Sequence, residues 1–80
     1  MRLHYKKVVK SEREENVNVK LRAAREASGL TQAQLAEEAG VSEVVYQRYE
    51  YNVNRPGVDA AIRIARVLGT TVEELFEEVK

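Results

Sequence analysis

Residues 30–50, LTQAQLAEEAGVSEVVYQRYE, decide the fold, because they hold two helix starts and one stop in a very short span. Thr31 with Gln34 three residues later forms a capping box, in which the hydroxyl and the amide each satisfy a backbone N–H that the first turn leaves free. Leu35, Ala36 and Ala39 then make an apolar stripe, and Gly40 supplies the left-handed residue that ends a helix. Ser42 caps the next helix, on which Tyr46, Tyr49 and Glu50 share one face and Glu43, Val44, Gln47 and Arg48 share the other. The pattern predicts helices over 32–39 and 43–51.

On the N-terminal side, Val17, Leu21 and Ala24 recur at helical spacing, Asn16 or Asn18 is placed to cap, and Gly29 to stop, a helix over about 18–28. On the C-terminal side, YNVNRPG has the composition of a loop. A helix over about 58–68 follows, its apolar stripe read as Val58, Ala61, Ile62, Ala65 and Leu68, ending on Gly69. A second capping box, Thr71 with Glu74, opens a fifth helix with Val72, Leu75, Phe76 and Val79 on its apolar face. Residues 1–16 differ: KSEREEN is a solvated charge run, so an arm is expected there, with a short strand possible in LHYKKVV. The expected organisation is an arm over 1–16 and one all-α domain of five helices over 17–80.

Eighty residues provide one small core and not two. With no cysteine and His4 as the sole histidine, neither disulfides nor thiolate or histidine zinc sites are expected, and no metal or cofactor is predicted. No apolar run approaches the roughly 18–20 residues of a membrane span, and MRLHYKKVVK lacks the apolar centre of a signal peptide, so a cytoplasmic protein is expected. There is no Ser/His/Asp set and no phosphate-cradling glycine loop, which argues against an enzyme. Thirteen basic and thirteen acidic side chains cancel, which argues against gripping polyanions by bulk charge. Residues 1–30 nevertheless carry eight Lys/Arg against four Glu, so the positive charge gathers at the N-terminal end.

A helix ending at Gly40 and another starting after Ser42 leave a tight turn, which is the helix-turn-helix arrangement. The second helix of such a pair can enter a major groove if one of its faces is apolar and the other polar. Further residues sharpen this. LRAAREASGLTQAQLAEEAGVS, then YE, RP and AIRIARVLGTTVEELF, resemble the Xre/Cro-like helix-turn-helix family of phage-repressor-type DNA-binding domains over about residues 17–79. The resemblance implies a compact five-helix repressor-like fold and a sequence-specific transcriptional regulator. It further implies a repressor that binds double-stranded DNA as a homodimer, at the nucleoid.

By that resemblance, Gln32 matches a glutamine that binds a backbone phosphate and braces the recognition helix, and Arg25 and Glu50 match a buried arginine–glutamate pair. Ser42, Glu43, Val44, Gln47 and Arg48 match the start and outward positions of the recognition helix, where Arg suits guanine and Gln suits adenine in bidentate pairing. Tyr51, Asn52, Asn54 and Arg55 fall where the family contacts phosphate. Two departures stand out. Glu43 replaces the Arg or Gln of many relatives, and could accept from a cytosine amino group or simply favour the helix dipole while repelling phosphate. Tyr51-Asn52 replaces the usual Asn-Gly, with Asn52 able to take the left-handed conformation. Tyr46 and Tyr49, usually aliphatic in the family, are expected in the core.

The arm has two readings, a polycation that tracks DNA or a segment that folds onto the domain or a partner subunit. For the whole chain the alternative is an antitoxin-like or adaptor module that uses the same fold to bind protein, in keeping with its zero net charge.

Overall fold

The computed structural model describes residues 16–76. They form five helices: α1 Val19–Ala27, α2 Gln32–Ala39, α3 Glu43–Glu50, α4 Val58–Leu68 and α5 Val72–Phe76. The expected arm, apart from Asn16, and the apolar position Val79 lie outside the described residues.

The first three helices start and stop largely as the sequence suggests. The Asn18 side chain accepts from Leu21 N–H and caps α1. At α2 both halves of the capping box form: Thr31 Oγ1 accepts from Gln34 N–H at 3.0 Å, and Gln34 Oε1 accepts from Thr31 N–H at 2.9 Å. Ser42 caps α3 through Val45 N–H at 3.1 Å. Caps of this kind are each worth about 1 kcal/mol. At the start of α5 one half of the expected second capping box forms, Thr71 Oγ1 accepting from Glu74 N–H, while no bond from Thr71 N–H to the Glu74 side chain is found among the described residues. Helices α1 and α3 are one or two residues shorter than predicted, since Asn18, Ser28 and Tyr51 serve as caps.

Gly40 ends α2 at φ 76°, and Val41 N–H then reaches back to Ala36 O at 2.9 Å. A Cβ at Gly40 would meet Arg63 Nε at an ordinary 3.7 Å, so glycine is needed there for its backbone conformation and not for space. Only residues 40–42 separate α2 from α3.

Helix α2 packs on α3 and α4, α1 on α5 and more lightly on α3, and α4 on α5. Leu21, Leu35, Ala36, Ala39, Tyr46, Tyr49, Ile64, Ala65 and Leu75 form the core. Burial of each large aliphatic among them contributes roughly 1.5–3 kcal/mol. Tyr46 and Tyr49 are core residues, as expected, meeting edge to face with ring centroids 6.4 Å apart.

The stripe assigned to α4 needs correction. Ala61 and Ala65 are buried, but the large side chain buried with them is Ile64, whereas Val58 is 75% exposed and Ile62 37% exposed. Helix α4 lies between α2 and α5, which pack on its Ala61, Ile64 and Ala65 side, and the flank that carries Val58 and Ile62 is exposed.

Candidate nucleic-acid interface

Helix α3 is seated by its last residue. The Glu50 side chain is fully buried, and a buried carboxylate is costly unless donors surround it. Arg25 Nε donates to Glu50 Oε2 at 2.6 Å and Tyr46 Oη donates to the same oxygen at 2.6 Å. Gln32 Nε2 donates to Glu50 Oε1 at 3.0 Å, and Arg22 Nε lies 3.7 Å from it. One carboxylate thereby joins α1, α2 and α3. The predicted Arg25–Glu50 pair is formed, and Arg25 also donates from Nη1 to Leu30 O in the connection to α2.

Burial alone would push the Glu50 pKa up; donation from Arg25, Tyr46 and Gln32, with the Arg25 charge, outweighs it and holds the carboxyl below the usual glutamate range. Arg25 is held above its ordinary value chiefly by its hydrogen bond to Glu50, against the opposing effect of burial. Burial, then the bond to Glu50, raises Tyr46 well above the ordinary tyrosine value, so its hydroxyl stays a donor.

With its inner face fixed, α3 turns Glu43, Val44 and Arg48 to solvent, and Val44 is 57% exposed. Gln47 is half-buried, its Nε2 3.4 Å from both Gln32 Oε1 and Glu43 Oε2. Ser42 is exposed and its hydroxyl is used as the cap. Five expected contact residues, 42, 43, 44, 47 and 48, are thus brought together on one exposed helix end and face. The sixth, Gln32, stands behind them at the start of α2.

The loop after α3 disperses. Asn52 adopts φ 58°, the left-handed conformation expected of it, and its Nδ2 donates to Asn16 O at 2.7 Å. Tyr51 is exposed with the Arg22 guanidinium 5.7 Å from its ring centroid. Asn54 and Arg55 are both exposed, and Arg55 Nη2 also donates to Phe76 O in α5 at 3.2 Å.

A helix-turn-helix family model matches residues 21–75, from the first buried leucine of α1 to the last of α5. The chain belongs to the Xre/Cro-type helix-turn-helix family. Over 59 residues it is 34% identical to the cryptic phage CTXphi transcriptional repressor RstR of Vibrio cholerae, covering 74% of this chain and 53% of that protein. Over 62 residues it is 39% identical to an HTH-type transcriptional regulatory protein of Methanocaldococcus jannaschii, covering 74% of this chain and 20% of that one. The chain therefore spans about half of the first relative and a fifth of the second.

In this helix-turn-helix, residues that sequence reasoning passed over hold the parts in place. Arg63 of α4 donates from Nε to Ala39 O at 2.7 Å and so satisfies a carbonyl at the end of α2, beside the turn. Asn18, foreseen only as a cap, also donates from its backbone N–H to Glu50 O at 2.7 Å and from Nδ2 to Leu75 O at 2.9 Å. Arg22 approaches both Glu50 and Tyr51. Their side-chain types signal only polarity; their partners are distant in sequence. Among the described residues no buried side-chain nitrogen or oxygen lacks a hydrogen bond, and no helix is long and apolar enough to cross a membrane.

Proposed function

We propose that this chain is a sequence-specific, DNA-binding transcriptional regulator, a repressor that acts on the nucleoid in the cytoplasm. It would read the major groove with α3 as a homodimer. The observation that carries the reading is the division of α3: an inner face locked to α1 and α2 through Glu50, and an outer face of Glu43, Val44, Gln47 and Arg48 presented to solvent. Arg48 suits guanine, Val44 suits a thymine methyl, and Gln32, Asn54 and Arg55 are assigned to phosphates.

One domain reads only a few base pairs, so specificity calls for two half-sites about one helical turn, roughly 34 Å, apart. The uncovered Val58 and Ile62, flanked by Val72 and Phe76, supply an apolar face for a second copy.

Salt-series titrations on a selected duplex and a scrambled one test this. Arg48→Ala is expected to cost about 1–3 kcal/mol on the selected duplex and relax one position, leaving the salt slope unchanged. Arg55→Ala is expected to weaken both duplexes alike and flatten the slope by about 0.9 per subunit. Equal binding to both duplexes by the parent chain would overturn the reading in favour of the adaptor module, the alternative that zero net charge supports.

A further inference from the structure

The charge buried at Glu50 fixes more than the seat of α3. A carboxylate only accepts hydrogen bonds, so the Gln32 amide, 3.0 Å away, has to turn its Nε2 toward Glu50 Oε1. Gln32 Oε1 is then left to face Gln47. On the exposed side Gln47 meets a second acceptor, the Glu43 carboxylate one turn earlier on α3. Gln47 Nε2 lies 3.4 Å from Gln32 Oε1 and 3.4 Å from Glu43 Oε2, and an amide nitrogen has two hydrogens to give. Both contacts are long, but both face the nitrogen with an acceptor. Reversing the amide would set Gln47 Oε1 against two acceptors, one of them charged, so the neighbours impose the orientation. Among the described residues nothing donates to Gln47 Oε1.

A glutamine that pairs with adenine in the bidentate manner donates from Nε2 to purine N7 while Oε1 accepts from the N6 amino group. In this chain the donor half of that exchange faces Gln32 and Glu43, and the acceptor half is open. Glu43, exposed in the first turn of α3, adds further acceptor oxygens and is itself favoured by the helix N-terminus.

With α3 as the reading helix, as proposed above, we propose that Gln47 and Glu43 read DNA as an acceptor pair: they take hydrogen bonds from exocyclic amino groups in the major groove, cytosine N4 or adenine N6, and do not donate to adenine N7. A base edge that offers a carbonyl oxygen at the same place, thymine O4 or guanine O6, is disfavoured because acceptor would face acceptor. Gln32 is then a positioning residue that transmits the orientation set by Glu50 to the base-reading surface.

The test uses the full chain on its selected duplex with single base analogues placed through each half-site. Purine deoxyriboside in place of adenine removes the N6 amino group, 2-pyrimidinone in place of cytosine removes N4, and 7-deazaadenine removes N7 alone. At the position that Gln47 and Glu43 contact, loss of the amino group is expected to weaken binding roughly tenfold, while 7-deazaadenine binds as adenine does. Glu43→Gln, a change at an exposed site, is expected to lower the urea midpoint only slightly, by the lost helix-dipole contribution, and to lose preference for the amino-bearing base. Sensitivity to 7-deazaadenine at that position would mean bidentate pairing and overturn the proposal, as would indifference to amino removal throughout the half-site. A parent chain with no preference for the selected duplex over a scrambled one would fail earlier, and would take the DNA reading itself with it.

Discussion

Helices α3 and α4 bury their inner faces in the same core by different chemistry. Helix α4 buries Ala61, Ile64 and Ala65, all apolar. Helix α3 buries Tyr46, Tyr49 and Glu50, and its last residue brings a carboxylate that binds Arg25, Gln32 and Tyr46. Apolar burial is non-directional, so the inner face of α4 does not by itself fix its rotation, and the directional tie of that helix is the Arg63 bond to Ala39 O on its outer side. Hydrogen bonds of 2.6–3.0 Å weaken steeply off their preferred angles, so α3 is held in one rotation. A buried charge is a poor way to gain stability over a hydrophobic isostere. The helix that carries the proposed contact residues is thus the one whose buried face specifies direction.

The strongest way to break this contrast is to remove one partner of the ion pair. Arg25→Ala or Glu50→Ala is expected to lower unfolding stability by about 3–5 kcal/mol, because either change strands the other charge. Urea denaturation measures it, and unchanged midpoints would show that the pair is not a seat at all. The pH dependence sharpens the point. Since the folded-state pKa of Glu50 is depressed below the usual 4.5, its contribution is present above that value and is lost as pH falls through the lower folded value. Glu50→Gln has no such proton to take up, so the stability gap between parent and variant should narrow in that acid window and stay constant above it.

Tyr46→Phe comes next. It removes one hydroxyl bond to a charged acceptor, a loss of about 1.5–3 kcal/mol, and it is expected to reduce preference for a selected duplex at a fixed folded fraction. Ile64→Val is the smallest change, with a cost of about 0.5–1.5 kcal/mol. It should leave that preference untouched, because nothing directional is lost from α4. If both variants affected duplex preference equally per unit of stability, the distinction between the two helices would collapse.

The parts of this fold legible in the sequence are those decided locally. Thr31 with Gln34, Ser42 and Gly40 act on backbone groups within three or four residues, so their spacing carries the information. The exposed set on α3 follows from helical periodicity in the same way, while Arg25 and Glu50 came from family resemblance. Periodicity does not say which of two adjacent stripes on α4 its neighbours will cover, and for that reason Val58 and Ile62 read as buried positions. Arg63 and Ala39 are 24 residues apart, and nothing near either one announces the other. The Gln47 amide orientation was equally hidden, since it follows from a charge buried on the neighbouring turn and relayed through another helix.

Asn18 bears on how the domain is assembled in time. Its side chain reaches Leu75, 57 residues further along the chain, while its backbone N–H holds Glu50 O. Joining points so far apart incurs a loop-closure entropy that nearer contacts avoid, although it grows only logarithmically with length. A chain that emerges from the ribosome N-terminus first can form α1, α2 and α3 with their own caps before the residues of α5 exist outside the tunnel. The knot of bonds at Asn18 closes only afterwards, so completion of the domain waits on the arrival of Leu75.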